Sequence, residues 1–227
     1  ASSTLYGSGA ATGVINITLK KSSNSKLSGN TFFALGTQNT SEDSKTKPQD
    51  FNQGFSVNGT LGKVTYLTSL SSTETKGFSE AFGENYEDDT FSRVNVLQKI
   101  GFKATDKLSF DFFGNYDKIN NTFDTSYAGS TVSNDDVYNN GNSEQFRIGF
   151  SPKYKYNKGE LVLNASAATI DREINLFSSW TNTVDNYSYS SRSINADLFN
   201  KYTFSNQFFA IIGVQTQYFD MTQEDAY

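Results

Sequence analysis

From Lys26 onward the chain alternates apolar and polar side chains. The stretch FNQGFSVNGTL sets Phe51, Phe55, Val57 and Leu61 against Asn52, Ser56, Asn58 and Thr60. FSRVNVLQKIGF sets Val94, Val96, Ile100 and Phe102 against Arg93, Asn95 and Lys99. LSFDFFGNY gives Leu108, Phe110, Phe112 and Tyr116 against Ser109, Asp111 and Asn115. FRIGFSPKYKY gives Phe146, Ile148, Phe150, Tyr154 and Tyr156 against Arg147, Ser151, Lys153 and Lys155. Leu161 and Leu163 alternate with Asn164 and Ser166, then Ile194, Ala196, Leu198 and Tyr202 with Asn195, Asp197 and Lys201. A two-residue period predicts strands, because successive side chains of an extended chain point to opposite faces. The runs number about nine, each long enough to cross the ~25 Å apolar band of an outer membrane at the usual strand tilt.

The connections sharpen this reading. Short ones fall at Gly62–Lys63, Lys103–Lys107, Asn157–Gly159 and Ser205–Gln207. Long ones are expected at Gln38–Asp50, Gly77–Thr90, Asn120–Ser143 and Phe177–Tyr187, so that short and long strictly alternate. A membrane barrel of up-and-down strands has short turns on one side and long loops on the other. A soluble sandwich alternates in hydropathy too, but has no reason to sort its loops by length. Charge follows the same division: Lys63, Lys103, Lys107 and Lys158 lie in the short turns. Glu80, Glu84, Glu87, Asp88, Asp89, Asp124, Asp135 and Asp136 lie in the long loops. Tyr154, Tyr156, Tyr202 and Phe204 fall near strand ends, where an interfacial aromatic girdle belongs. The expected fold class is all-β, a transmembrane antiparallel up-and-down barrel wall. Arg93, Lys99, Arg147, Lys153 and Lys155 are expected on its polar lumen face, with Arg147 and Lys153 pointing inward.

Composition agrees and removes several functions. The 227 residues carry 20 Phe and 13 Tyr but only 2 Pro, as long uninterrupted strands require. Mean hydropathy is −0.54, too polar for a bundle of membrane helices but compatible with strands whose alternate residues face lipid. With no Cys, neither a disulfide nor a thiolate metal site can form. With no His, a Ser-His-Asp triad is excluded, and no enzymatic activity is expected. A net charge of −5 gives nucleic acid no electrostatic foothold.

Two stretches invite a site. GSGAATG is a loose glycine-rich loop, but a dinucleotide loop must open a helix. Here the β-branched VINITLK follows, Val14 to Lys20, and a strand is expected instead. The acidic GFSEAFGENYEDDTF concentrates Glu84, Glu87, Asp88 and Asp89. Hard oxygen ligands at that density suit Ca²⁺, with Asp124 of the next loop as a further ligand; a plain solvated acidic loop is the alternative. SNDDVYNNG fails the EF-hand pattern, since with Gly141 at its sixth position Tyr138 stands third and Arg147 replaces the closing Glu.

The opening STLYGSGAATGVINITLKK resembles the end of the plug domain of TonB-dependent outer-membrane receptors. Leu5, Tyr6, Gly7, Gly9, Ala10, Gly13, Val14, Ile15, Asn16 and Ile17 carry the resemblance, and Thr12 stands where glycine is frequent. The resemblance implies that residues 1–21 close a plug and that residues 22–227 are the first part of a barrel of about 22 strands. It implies that the rest of both lies outside this chain. It implies active uptake of a scarce bulky nutrient across the outer membrane, with outer-membrane lipid and the TonB-ExbB-ExbD system as partners and no required cofactor. Within the family, the acidic second long loop is most similar to that of the cobalamin (vitamin B12) transporters, where such a loop binds calcium; a ferric siderophore is the other expected ligand. A self-contained small barrel, serving as structural protein, adhesin or passive pore, is the competing expectation.

Overall fold

The computed structural model describes residues 22–38, 48–79, 88–125, 138–178 and 180–226. The opening motif, Leu5 to Ile17, lies outside them. Nine strands form one antiparallel sheet in chain order: β1 (Ser28–Gly36), β2 (Asp50–Leu61), β3 (Val64–Thr75), β4 (Phe91–Lys103), β5 (Leu108–Thr122), β6 (Asn140–Tyr156), β7 (Gly159–Ser178), β8 (Thr183–Thr203) and β9 (Phe209–Ala226). Each strand touches only its neighbours in sequence, so among the described residues no second layer covers either face.

The register places every expected apolar set on one face. Leu61, Val64, Phe102 and Phe110 form one cross-strand row, and Phe55, Leu70, Val96, Tyr116 and Phe146 another. Asn95, Asp117 and Gln145, and Asn115 and Arg147, make rows on the opposite face. Arg147 and Lys153 therefore lie on the polar face, as the alternation predicts.

Among the described residues, nothing buries the apolar face. Val162 is the one buried hydrophobic residue among the described residues, while Phe112 is 48% and Ile148 47% exposed. A soluble domain whose core consists of one valine does not fold in water. A barrel wall with its apolar face in lipid needs no such core. On β6 the band runs from Phe146 to Tyr156, matching the roughly 9–11 residues that a tilted strand needs to cross a bilayer. Its edge toward the short turns is aromatic. Phe102, Phe110, Phe150 and Phe112 stack in succession, with centroids 6.5, 6.1 and 4.6 Å apart. Tyr154, Tyr156, Tyr202 and Phe204 continue the series at 6.5, 6.4 and 4.8 Å.

The short turns are built locally. Gly62 adopts φ +61°, the left-handed value that the first position of a two-residue hairpin favours. In the β4–β5 turn, Thr105 Oγ1 accepts from the amides of Lys107 (3.2 Å) and Leu108 (3.0 Å). The turns also step across the sheet. Leu61 and Val64 flank the first on the row of Phe102, Phe110 and Pro152, whereas β6 runs past Pro152 to Tyr156 before it turns, and β8 runs on to Thr203. A stagger of this kind is what tilts strands against a barrel axis.

One expected loop is corrected. Phe177–Tyr187 is not a long connection: β7 continues to Ser178 and β8 begins at Thr183, leaving a tight turn in which the Asn182 amide donates to the Ser178 carbonyl (2.8 Å). The segment carries no apolar alternation because both its faces stand clear of the apolar band. Polar cross-strand pairs hold it as a hairpin instead, and loop lengths fail to alternate here.

Candidate functional site at the loop-bearing rim

At the end opposite the short turns, side chains knit the strand tips to the loop bases. The Gln38 amide donates to Asp50 (2.8 Å) and to Thr75 Oγ1 (2.8 Å), tying the first connection to β2 and β3. The Gly77 amide donates to the same Thr75 hydroxyl (3.0 Å). Gly77 has φ +63°, and a Cβ there would collide with the Asp89 carbonyl, so the two limbs of the β3–β4 connection touch where only glycine fits. Thr90 and Thr122 exchange bonds, the Thr90 amide donating to Thr122 Oγ1 (2.7 Å) and the Thr122 amide to the Thr90 carbonyl (2.9 Å).

The expected calcium ligands divide between described and undescribed residues. Glu84 and Glu87 lie outside the described residues. Asp88 and Asp89 stand on the returning limb of the β3–β4 connection, and Asp124 just beyond β5. Asp124 is only 8% exposed, and its carboxylate accepts from the Ser79 hydroxyl (2.9 Å), so the second and third connections meet at this residue. Among the described residues, no group of three acidic side chains is close enough to hold a metal.

An asparagine ladder that alternation gives little reason to single out closes the other half of the rim. Asn139 is 1% exposed, and its side-chain oxygen accepts from the Phe177 amide (2.7 Å). Asn175 donates to Asn140 (2.9 Å), and Asn186 donates to both Asn175 (2.8 Å) and Glu173 (2.7 Å). These residues bridge β6, β7 and β8 on the face that carries the apolar band lower down. The one sequence signal was the repeated Asn at strand ends, which reads equally well as a turn.

On the polar face, Arg93 clasps Asp117 through two bonds, Nε to Oδ1 at 2.8 Å and Nη2 to Oδ2 at 2.6 Å. The planar fork matches the carboxylate and fixes both side chains. At the opposite end, Lys103 pairs with Asp106 (2.9 Å), and this hydrogen bond holds the Asp106 carboxyl below its ordinary range. The rim is thus a belt of amides, hydroxyls and carboxylates around the strand tips, suited to binding a polar solute.

No protein-family model matches the chain, and no curated protein matches it. Among solved structures, the chain is similar to a mutant of the ferric enterobactin receptor PfeA from Pseudomonas aeruginosa. Sequence identity is 14%, the TM-score is 0.66, and the match covers 95% of this chain and 34% of that one. The chain therefore spans about a third of the receptor it matches. At this identity the likeness is one of fold: the nine strands form a stretch of up-and-down barrel wall of the kind that receptor has.

Proposed function

We propose that this chain is part of a TonB-dependent transporter of the bacterial outer membrane, acting by binding and conformational change rather than by catalysis. The carrying observation is the agreement of two independent features. The barrel wall matches a ferric enterobactin receptor over nearly its whole length, and the opening residues, Leu5 to Ile17, resemble the plug end of such receptors. A small passive pore shares the first feature and has no use for the second. In the proposed mechanism a nutrient, cobalamin or a ferric siderophore, is captured at the loop-bearing rim and shifts the plug between states through its differential affinity for them. Force from TonB-ExbB-ExbD then opens the path. Residues 1–21 are the plug end and 22–227 the wall in this reading.

The test is uptake of labelled cobalamin and of labelled ferric siderophores by cells that carry the receptor, with and without TonB. Accumulation of one of them that needs both proteins supports the proposal. Equal accumulation without TonB, or a steady ion conductance of the purified protein in planar bilayers, points to a passive pore. Calcium ordering of the rim by Glu84, Glu87, Asp88, Asp89 and Asp124 belongs to the same proposal. Calcium is expected to slow protease cutting within the Gly77–Thr90 connection of the intact protein, and unchanged cutting up to millimolar Ca²⁺ contradicts it.

A further inference from the structure

Above the apolar band, the same face of the sheet becomes a polar wall. On β5 to β9 one row reads Lys118, Glu144, Asp171, Ser190 and Thr222. The second row below it carries Ile148, Ala167, Ile194 and Tyr218. A cleft of about 550 Å³ lies in the polar part, lined by Asn142, Glu144, Asp171, Glu173 and Ser190 among others. Three of its four carboxylates are held: Glu144 by Lys118 (2.6 Å), Asp171 by the Ser190 hydroxyl (2.7 Å) and Glu173 by Asn186 (2.7 Å), with Glu224 the fourth. A carboxylate has about four acceptor sites, so each keeps lone pairs directed outward after one bond.

We propose that this cleft docks the sugar headgroup of a membrane glycolipid whose acyl chains lie against the apolar band beneath it. The inference rests on the outer-membrane reading above. Three things favour this occupant. On β5 and β6 the cleft borders the apolar band directly, with Tyr116 and Phe146 in the next row, whereas on β8 and β9 that row carries Arg192 and Asp220; a molecule with a greasy end and a polar end meets both at β5 and β6. Its fixed carboxylates, amides and hydroxyls accept from and donate to sugar hydroxyls. Four carboxylates, Glu144, Asp171, Glu173 and Glu224, against Lys118 and Arg172, with Lys118 already paired to Glu144, disfavour a contact made mainly through phosphate.

The experiment uses the intact receptor in detergent and measures binding of three probes by native mass spectrometry. They are a lipopolysaccharide with core sugars, its lipid A portion alone, and the core oligosaccharide freed of lipid. The core-bearing glycolipid is expected to bind at least tenfold tighter than either part. Asp171→Asn, which keeps the shape, and Asn142→Leu, which fills the cleft, are each expected to reduce that preference at least threefold. Equal binding of lipid A and core-bearing glycolipid overturns the proposal, as does a preference that both substitutions leave intact. Tight binding of the free oligosaccharide overturns it in favour of a soluble-sugar site. Flotation with liposomes is scored in parallel: a protein that does not float removes the membrane reading, whereas one that floats without glycolipid preference removes only this inference.

Discussion

Gly149 shows how single residues set this wall. It faces Phe113 directly across β5 and β6, and the Phe113 ring lies where a Cβ of residue 149 would be. Gly54 under the Phe32 ring repeats the arrangement on the same polar face. A ring laid over a glycine covers exposed backbone and pins the register. Gly149→Val is expected to displace the ring and destabilise the barrel by about 1–3 kcal/mol, the range for forced overpacking. Urea unfolding from lipid vesicles measures it, and an unchanged midpoint contradicts the packing role. Asp106 offers a test at the opposite end. Its carboxyl is held below the usual ~3.9 by the bonded Lys103. A lowered folded value means that the contribution of the pair is present above the unfolded value and fades as pH falls through the folded one. NMR titration is expected to show the Asp106 midpoint rising toward the ordinary value in Lys103→Gln; an identical midpoint in both proteins contradicts the pairing.

Among the elements, the β7–β8 hairpin best shows what the sequence carries and what it hides. Where lipid bathes one face, alternation is enforced, and strands such as Phe91–Lys103 and Asn140–Tyr156 are readable from Val94, Ile100, Phe146 and Ile148 alone. Beyond the band both faces meet polar surroundings, the constraint lapses, and Phe177–Tyr187 reads as loop although β7 runs to Ser178 and β8 resumes at Thr183. The buried Asn139 is equally silent in sequence, because its burial comes from strands β6 and β7 meeting above the band. The charge pattern of the short turns, by contrast, is local and was legible at Lys63, Lys103 and Lys107. Asn139→Ala is expected to leave the Phe177 amide without its acceptor, at a cost of about 1–3 kcal/mol for an unsatisfied buried group. Hydrogen exchange at Phe177 should then rise at least tenfold while exchange at Phe150, in the apolar band, stays unchanged; no change at Phe177 contradicts the role of the ladder.

For the whole molecule, the decisive feature is a sheet with two unlike faces whose outer strands, β1 and β9, are each bonded to a single neighbour among the described residues. Strand number and barrel width are linked, so nine strands make a wall and not a closed transporter-sized cylinder. A wall standing in lipid accounts for the exposed apolar face and the stepped turns together. Single cysteines placed along β6 of the membrane-inserted protein test this most directly, read with a lipid-dissolved thiol probe and a water-soluble one. Cysteines at positions 148 and 150 are expected to react with the lipid probe alone, and those at 147 and 153 with the water-soluble probe alone. Reaction of 147 and 153 from the lipid, with 148 and 150 silent, would show the faces reversed and contradict the account.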